Sequence, residues 1–487
     1  MNRINVKNLL DISAALSKEK DYNKLLSRIL KEAMDMTHCD GGTLYLLSGG
    51  SLRFKIMVTH SLGYCKGVTG EPIDLPPVAL EKSNVCACAA IEKRIINVAD
   101  VYLCSEYDFS GPRNYDTITG YTTKSMLVVP MQSHEGDIIG VLQLLNAMDC
   151  HKAVVPFSSD YENAIESLAS LAAVSITNMN HIEEIKGLFE SFVSVVSTAI
   201  DERSPYNANH TKNMARYGQN FIAYVNRLYK EGKTGYFFTE NSASQLILSI
   251  WLHDIGKLVT PLSVMNKETR LGRYYEPLMQ KLEKIMLLNK IRLLEGEVSE
   301  AEYNAEKKAA EDAAALIKRV NAWGYLDEEL YREVLKLARK SYKENGETKP
   351  WLSEYEMSLL TIRKGTLNDV ERGIMENHVV ITRKLLSRIN FPSSYSHVLE
   401  WASAHHELID GSGYPDGLKE SDIPFEVRVL TVLDIFDALT ARDRPYKPPM
   451  PVEGALLVLW EMADEGKLDM DIVRLFKDSR SWEQKEA

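Results

Sequence analysis

Residues 405–418, which read HHELIDGSGYPDGL, place two adjacent histidines, a glutamate and an aspartate directly before a glycine-rich turn. Imidazole nitrogens and carboxylate oxygens are common ligands of divalent transition metals. The glycines of Gly411-Ser412-Gly413-Tyr414-Pro415 permit a sharp loop that a residue with a side chain would resist. This stretch therefore predicts a metal-binding cluster fixed beside a tight loop.

A second group of such residues ends a predicted apolar helix, QLILSIWLHDIGKLV. His253 and Asp254 let one imidazole and one carboxylate reach the same cation, and Lys257, one helical turn further on, can contact a phosphate. A His-Asp dipeptide is common by chance, so its weight depends on partners elsewhere. The candidate partners are His210, His378, His405, His406 and Asp434. Taken singly, His378 or Asp434 would be read as a buried, hydrogen-bonded polar residue.

The motif His253-Asp254-Ile-Gly-Lys257, the stretch 405–418 and the later DIFDALTARDRPYK resemble an HD-GYP domain, a branch of the HD metal-dependent phosphohydrolases. The resemblance covers about residues 190–470 apart from one insertion. It implies an all-α domain that hydrolyses the bacterial second messenger cyclic di-GMP to linear pGpG or GMP. A catalytically inactive scaffold that binds nucleotide or partner proteins, and a phosphodiesterase for another cyclic dinucleotide, remain the alternatives.

The resemblance implies a pair of divalent metals, because two metals about 3.5 to 4 Å apart can neutralise phosphate oxygens and activate water. The implied ligands are Asp254 as the bridge, His210, His253 and Asp434 at one site, and His378, His405 and His406 at the other. Histidine-rich ligation favours a transition metal over magnesium, with iron or manganese expected and nickel or zinc also chemically reasonable.

Relatives that hold three metals carry a glutamate four residues before the first histidine. Tyr206 stands at that position in this chain, so the third site lacks its expected carboxylate. Glu202 would substitute only if the loop folded back differently. The sequence therefore predicts a two-metal centre.

The same resemblance implies further roles in catalysis and substrate binding. Lys257 would bind the scissile phosphate, and Arg444 and Lys447 the second phosphate of the substrate. Asp437, one turn after the metal-ligand aspartate of its helix, would orient a ligand or a water molecule. The loop Gly413-Tyr414-Pro415 would back the site and offer a surface to signalling proteins.

The N-terminal part of the chain alternates helix and strand after a lead-in helix at residues 1–19. TLYLL and LRFKIMV flank an SGG turn and predict a hairpin, and SMLVVPM and IIGVLQLLN predict a second one. Residues 20–175, and residues 120–146 in particular, resemble a GAF sensor domain, which implies an α+β fold with an antiparallel sheet and a small-ligand pocket. Ala147 and Tyr161 stand where cyclic-nucleotide-binding GAF domains have lysine and aspartate, so another, unidentified ligand is expected.

Residues 176–200 predict a connecting helix with one apolar stripe, formed by Ile182, Ile185, Phe189, Phe192 and Val196. The spacing of three and four residues fits the seam of a parallel homodimer. Burial of the same stripe against its own domain fits equally well.

Between Lys257 and His378 lies an insertion, about residues 266–355, whose sequence predicts a helical hairpin. Leu278, Leu282, Ile285, Leu288 and Ile291 form one stripe, and Ser299 with Glu302 predicts a capping box that begins the second helix. A lid, a dimer arm, a docking surface and a solvated spacer all remain open as its role. The whole C-terminal half is predicted to be helical, and residues 471–487 form a tail.

The 487-residue length indicates two or three domains. A net charge of −11 argues against a nucleic-acid-binding face, and no apolar run or signal sequence indicates a membrane, so a cytoplasmic protein is expected. The six cysteines, all in the first third, are expected to be thiols. Cys86 and Cys88 could share a soft metal, but packing at a helix start is the favoured interpretation because no second cysteine pair follows.

Overall fold

The computed structural model describes residues 6–19, 21–203, 209–322, 324–441 and 449–483. The chain divides into two compact units, Met1–Phe189 and Glu190–Ala487. No helix in the described ranges is both long and apolar enough to cross a bilayer. The predicted limits of the domains remain predictions.

The first unit is an α+β domain with one antiparallel sheet, as predicted. Its strands are β1 Cys39–Ser48, β2 Ser51–Thr59, β3 Tyr64–Lys66, β4 Val78–Ala79, β5 Ile96–Val98, β6 Met126–Gln132, β7 Ile138–Met148 and β8 Val154–Val155. Its helices are α1 Val6–Lys18, α2 Tyr22–Thr37, α3 Val85–Glu92, α4 Ser110–Thr119 and the start of α5 Ser159–Asp201. The strand order is β3-β2-β1-β7-β6-β5, and β4 pairs with β2 and β8 with β7.

Both predicted hairpins are confirmed. β1 and β2 join through Gly49 and Gly50, whose φ angles of +59° and +74° favour glycine. β6 pairs with β7 in antiparallel register from Met126 opposite Leu145. The lead-in helix is also confirmed over α1.

The sheet is buried on both faces because apolar side chains fill both sides of its central strands. Leu44 and Leu142 point into a core shared with helices α2 and α5. Their sequence neighbours Tyr45 and Val141 point to the opposite core, which helix α3 covers.

Cys86 and Cys88 belong to this second core and lie at the start of α3, where the Asn84 side chain accepts hydrogen bonds from the amides of Cys86 and Ala87. The packing interpretation is therefore confirmed. Both are free thiols, and burial raises the pKa of Cys86 to about 12.

Helix α5 is 43 residues long and contains the predicted connecting segment. Ile182, Ile185 and Phe192 are 63, 66 and 64% exposed. Phe189 and Val196, the other two residues of the predicted stripe, are half-buried. Both alternatives for this stripe therefore stay open.

The second unit is mainly helical. Its helices are α6 His210–Lys230, α7 Glu240–Leu252, α8 Leu262–Met265, α9 Tyr275–Leu294, α10 Glu300–Asn321, α11 Glu328–Leu337, α12 Glu354–Leu360, α13 Asp369–Glu376, α14 His378–Leu386, α15 Val398–Ala402, α16 Phe425–Thr440, α17 Val452–Asp464 and α18 Met470–Ser479. One core joins α6, α7 and α16 to α18, with Phe221, Phe436 and Phe476 fully buried. The prediction that residues 471–487 form a tail is therefore wrong for residues 471–479, which lie in α18 and bury Ile472 and Val473 in this core.

The insertion has a core of its own. Helices α9 and α10 pack together through Leu278, Leu282 and Ile317, and the predicted capping box of Ser299 and Glu302 is present. The helical hairpin is therefore confirmed, although Ile291 at the end of its stripe is 49% exposed.

The prediction of an entirely helical C-terminal half is wrong at one place. Strands β9 Ser341–Glu344 and β10 Glu347–Pro350 form a hairpin. Asn345 and Gly346 make its turn with φ angles of +48° and +82°, a conformation that this residue pair adopts readily. Because the strands are short and polar, their hydrophobic pattern gave no signal.

Candidate metal centre

The candidate ligands come from segments that are far apart in the sequence. His210 begins α6, His253 and Asp254 follow α7, His378 begins α14, His405 and His406 follow α15, and Asp434 lies within α16. His253, Asp254, His378, His405 and Asp434 are buried. The fold brings all seven side chains together.

Asp254 lies at the middle of this cluster. Its Oδ2 is 3.2 Å from His253 Nε2 and 3.7 Å from His210 Nε2. Its Oδ1 is 3.3 Å from His378 Nε2 and 3.9 Å from His405 Nε2. That Oδ1 is buried and accepts no hydrogen bond from the described residues. One carboxylate thus presents one oxygen to each group of imidazoles.

Two groups of ligand atoms have spacings suited to a metal ion. The atoms of His210, His253 and Asp254 lie within 4.8 Å of one another, and so do those of His378, His405 and His406. This division follows the one that the sequence implied.

Asp434 lies between the two groups. Its Oδ1 is 3.3 Å from His210 Nε2, and its Oδ2 is 3.7 Å from His406 Nδ1. The sequence interpretation assigned Asp434 to the His210 side alone, whereas its carboxylate also faces His406.

The ring orientation of three histidines is fixed from behind by backbone carbonyls. The Nδ1 atoms of His253, His378 and His405 lie 2.7, 2.7 and 2.8 Å from the carbonyl oxygens of Ile250, Met375 and Ala402. Because a carbonyl oxygen only accepts, each Nδ1 carries the proton and each Nε2 keeps a lone pair directed at the cluster.

Asp437 has the corresponding position behind His210. Its Oδ2 is 2.7 Å from His210 Nδ1, one turn after Asp434 on α16. A carboxylate in this position orients the ring and strengthens Nε2 as a ligand. The orienting role of Asp437 stays a prediction.

The electrostatics differ between the two groups. Burial alone would lower the pKa of His210, but the carboxylates of Asp434 and Asp437 raise it to about 10. Burial lowers the pKa of His378 to about 4 and that of His405 well below its ordinary value. Burial also lowers the pKa of His406. Burial thus favours the neutral form of all three imidazoles in the second group, the form that binds a metal.

Lys257 pairs with the central carboxylate. Its Nζ is 2.6 Å from Asp254 Oδ2. Burial would raise the pKa of Asp254, yet His253 and Lys257 hold it well below its ordinary value. The ammonium group thus lies at the edge of the cluster. Arg444, Lys447 and Tyr206 lie outside the described residues.

A family model for the GAF domain matches residues 21–176, and one for the HD domain matches residues 355–472. The chain contains a GAF domain and an HD domain. The HD match includes His378, His405, His406 and Asp434, whereas His210, His253 and Asp254 precede it.

Curated relatives match segments of this chain that are about as long as the HD-domain match. A cyclic di-GMP phosphodiesterase of Thermotoga maritima is 45% identical over 96 residues, which are 20% of this chain and 26% of that protein. The 3'3'-cGAMP-specific phosphodiesterase 3 of Vibrio cholerae is 36% identical over 99 residues, 20% of this chain and 21% of the relative. The cyclic di-GMP phosphodiesterase response regulator RpfG of Xanthomonas campestris is 39% identical over 111 residues, which are 22% of this chain and 27% of that protein. The matched segment spans about a quarter of each relative.

The glycine-rich loop of the HD domain packs directly on its histidines. A Cβ atom on Gly413 would lie 2.3 Å from the amide nitrogen of Leu408, so only glycine fits. The Glu407 carboxylate accepts hydrogen bonds from the amides of Asp416 and Leu418 at 2.7 and 2.8 Å. Glu407 therefore holds the loop in shape, a role that the sequence interpretation did not assign.

Two further residues fix the His-Asp segment against α14. A Cβ atom on Gly256 would lie 1.9 Å from the carbonyl oxygen of His378. The Thr382 hydroxyl accepts from the Gly256 amide at 3.0 Å and donates to the His253 carbonyl at 2.9 Å. Gly256 was visible in the motif, but nothing in the sequence pointed to Thr382.

The end of α5 contacts the same region. Asp201 accepts a hydrogen bond from the hydroxyl of Thr211, the neighbour of His210, at 3.2 Å. Arg203 donates to the carbonyl oxygen of Lys257 at 2.9 Å. Both residues were missed because each contact joins segments that are separate in the sequence.

We predict that Thr382→Val weakens both metal binding and folding. The substitution preserves shape but leaves the buried Gly256 amide and His253 carbonyl without this partner, which costs about 2 to 4 kcal/mol. Denaturant unfolding and elemental analysis of the purified protein measure the two losses. Thr361→Val is the matched control, because the Thr361 hydroxyl bonds within the last turn of its own helix. Equal stability of the two variants would contradict the prediction.

Proposed function

We propose that this chain is a GAF-regulated, metal-dependent phosphodiesterase that hydrolyses cyclic di-GMP to linear pGpG or GMP. The observation that carries the proposal is the position of Asp254, a buried carboxylate that faces one imidazole group with each oxygen. The names of the matched relatives, which act on cyclic di-GMP or 3'3'-cGAMP, support this class of substrate.

The donor set fits two divalent transition metals. Five imidazoles and two carboxylates converge, several Nε2 lone pairs are directed inward, and Asp254 Oδ1 is a buried acceptor without a described donor. Iron or manganese suits such nitrogen-rich ligation, with nickel and zinc also chemically reasonable. Bound ions would supply charge neutralisation at the phosphate and a water molecule acidic enough to attack it.

The protein groups around this set have separate tasks. Lys257 provides the cation at the edge of the cluster, where a non-bridging phosphate oxygen would exchange for the Asp254 contact. Asp437 holds the His210 ring in place. The loop with Tyr414, whose ring centroid is 4.8 Å from that of His406, forms the wall on which a guanine base could rest.

We predict that Asp254→Asn abolishes hydrolysis of cyclic di-GMP. The amide keeps the shape but removes the charge that would bridge two metals, so turnover should fall by about 1000-fold or more. Product formation is measured by chromatography with iron or manganese present. Asp464→Asn, an exposed change at the end of α17, is the control and should keep full activity.

The same assay separates the alternatives. Wild-type protein that binds cyclic di-GMP but does not hydrolyse it with iron, manganese, nickel or zinc would favour the scaffold function. Faster turnover of 3'3'-cGAMP than of cyclic di-GMP would favour the other cyclic dinucleotide as substrate.

We predict two tightly bound metals per chain. Tyr206 replaces the glutamate that a third site would use, and the described ligands form two groups. Chelation should remove activity, and two equivalents of manganese or iron should restore it. Elemental analysis of the full chain gives the count, and three tightly held ions would contradict it.

We propose in addition that two copies pair in parallel along α5. Ile182, Ile185, Leu188, Phe192 and Val195 are each 63 to 72% exposed, and their spacing of three and four residues makes one seam. A second copy of the same helix presents the complementary stripe.

We predict that the double substitution Ile185→Lys and Phe192→Lys converts a dimer to a monomer. Facing lysines would repel each other and remove apolar contact area from the seam. Light scattering after size-exclusion chromatography measures the mass. Leu103→Lys, which is on another exposed surface, should remain dimeric. A wild-type protein that is monomeric at micromolar concentration would refute the pairing.

A further inference from the structure

The GAF domain encloses a cavity of about 500 Å³. It lies on the sheet face of Tyr45 and Met126, and its other walls come from the segment 75–86 and from α4. The volume is within the range of small-molecule binding sites. The chemistry of its lining limits which molecules it can hold.

The lining carries no positive charge. None of the described residues around the cavity is lysine, arginine or histidine, whereas Glu81 and Asp108 are both present. Binding sites for phosphates and carboxylates need positive side chains or free amide groups. The side chains of this cavity therefore disfavour an anion.

Several amides at the nearby helix N-termini already have acceptors within the protein. The Asn84 side chain already accepts from the amides of Cys86 and Ala87 at the start of α3. The Asp108 carboxylate accepts from the amide and hydroxyl of Ser110 at the start of α4. The amides of Cys86, Ala87 and Ser110 are thus occupied by the protein itself.

The walls are mainly apolar and partly aromatic. Tyr45 and Phe54 lie with ring centroids 4.7 Å apart, and Met57, Leu75 and Met126 complete the apolar lining. The Cys86 thiol also lines the cavity, and burial raises its pKa to about 12, so it adds no charge near neutral pH. Such walls suit a flat ring system.

Two donors in the lining lack a strong acceptor. Gln143 is 6% exposed; its Oε1 accepts from Tyr45, while its Nε2 faces only the sulfur of Met126, at 3.3 Å. Sulfur in a thioether is a weak acceptor. The Tyr115 hydroxyl is buried and has no hydrogen-bond partner among the described residues. A carbonyl oxygen on a ligand would satisfy either donor.

We infer that this cavity binds an uncharged, planar, mainly apolar molecule that carries a carbonyl-type acceptor. Tyr115 and Gln143 donate to that acceptor, and the aromatic walls bury the ring. Nucleotides and other anions are disfavoured, because the described lining has Glu81 and Asp108 but no positively charged side chain. The inference concerns binding alone and holds whether or not the HD domain hydrolyses cyclic di-GMP.

The test uses the full chain and a neutral naphthalene ketone, 6-propionyl-2-(dimethylamino)naphthalene, whose emission shifts to shorter wavelength in an apolar site. Saturable binding with one site per chain is expected. Indole-3-acetamide should displace the probe at concentrations at least tenfold lower than indole-3-acetate, which differs by its negative charge. Cyclic GMP should not displace it.

Two variants test the donors. Tyr115→Phe and Gln143→Leu should each weaken binding of the ketone at least about fivefold, while Tyr229→Phe on an exposed surface leaves it unchanged. Thermal unfolding checks that each variant is folded, and Gln143→Met replaces Gln143→Leu if that variant is not. Absence of saturable ketone binding, displacement by the acetate or cyclic GMP as effective as by the amide, or full affinity in both donor variants would overturn the inference.

Discussion

The buried carboxylate of Asp254 is the constraint on which the C-terminal unit depends. Burying an ionised carboxylate costs several kcal/mol unless opposite charge compensates it. Lys257 compensates one oxygen, while the other faces His378 and has no donor among the described residues. Positive charge inside the cluster would reduce the cost of burying the Asp254 carboxylate. Cations that the surrounding donors can bind would therefore stabilise the cluster.

Bringing the candidate ligands of five segments together requires close backbone packing. Gly256 lets the His-Asp segment touch the carbonyl of His378, and Gly413 lets the loop touch Leu408. Thr382 and Glu407 then satisfy backbone groups that these approaches bury. The long insertion leaves the packing intact because it has its own core, in which Leu278 and Ile317 are fully buried.

The sequence predicted those features that short stretches encode. The histidine motifs and the capping box of Ser299 are local patterns, and each has a counterpart in the structure. The alternation of apolar residues in β2 was misleading, because a bulge at Lys55 turns Leu52 and Phe54 to one face of the sheet and Ile56 and Val58 to the other. The hydrogen bonds of Thr382 and the approach of Asp434 to His406 could not be predicted, because both depend on which distant segments meet. The β9–β10 hairpin was not predicted for another reason. Polar strands at the surface carry no hydrophobic period, although Asn345-Gly346 offered a turn signal.

Under the proposed function, a molecule bound to the GAF domain regulates the HD domain. Such a molecule must bind two conformations of a connecting element with different affinities, since a ligand shifts a conformational equilibrium only by its differential affinity. Helix α5 has the contacts for such a role. Its beginning supplies Ile165 and Leu168 to the GAF core, and its last residue, Asp201, binds Thr211 beside His210. A molecule that changed the packing of α5 in the GAF core would act on the helix whose last residue contacts the neighbour of His210. If two copies pair along α5 as proposed, the second copy would contact the same helix and could favour one of these states.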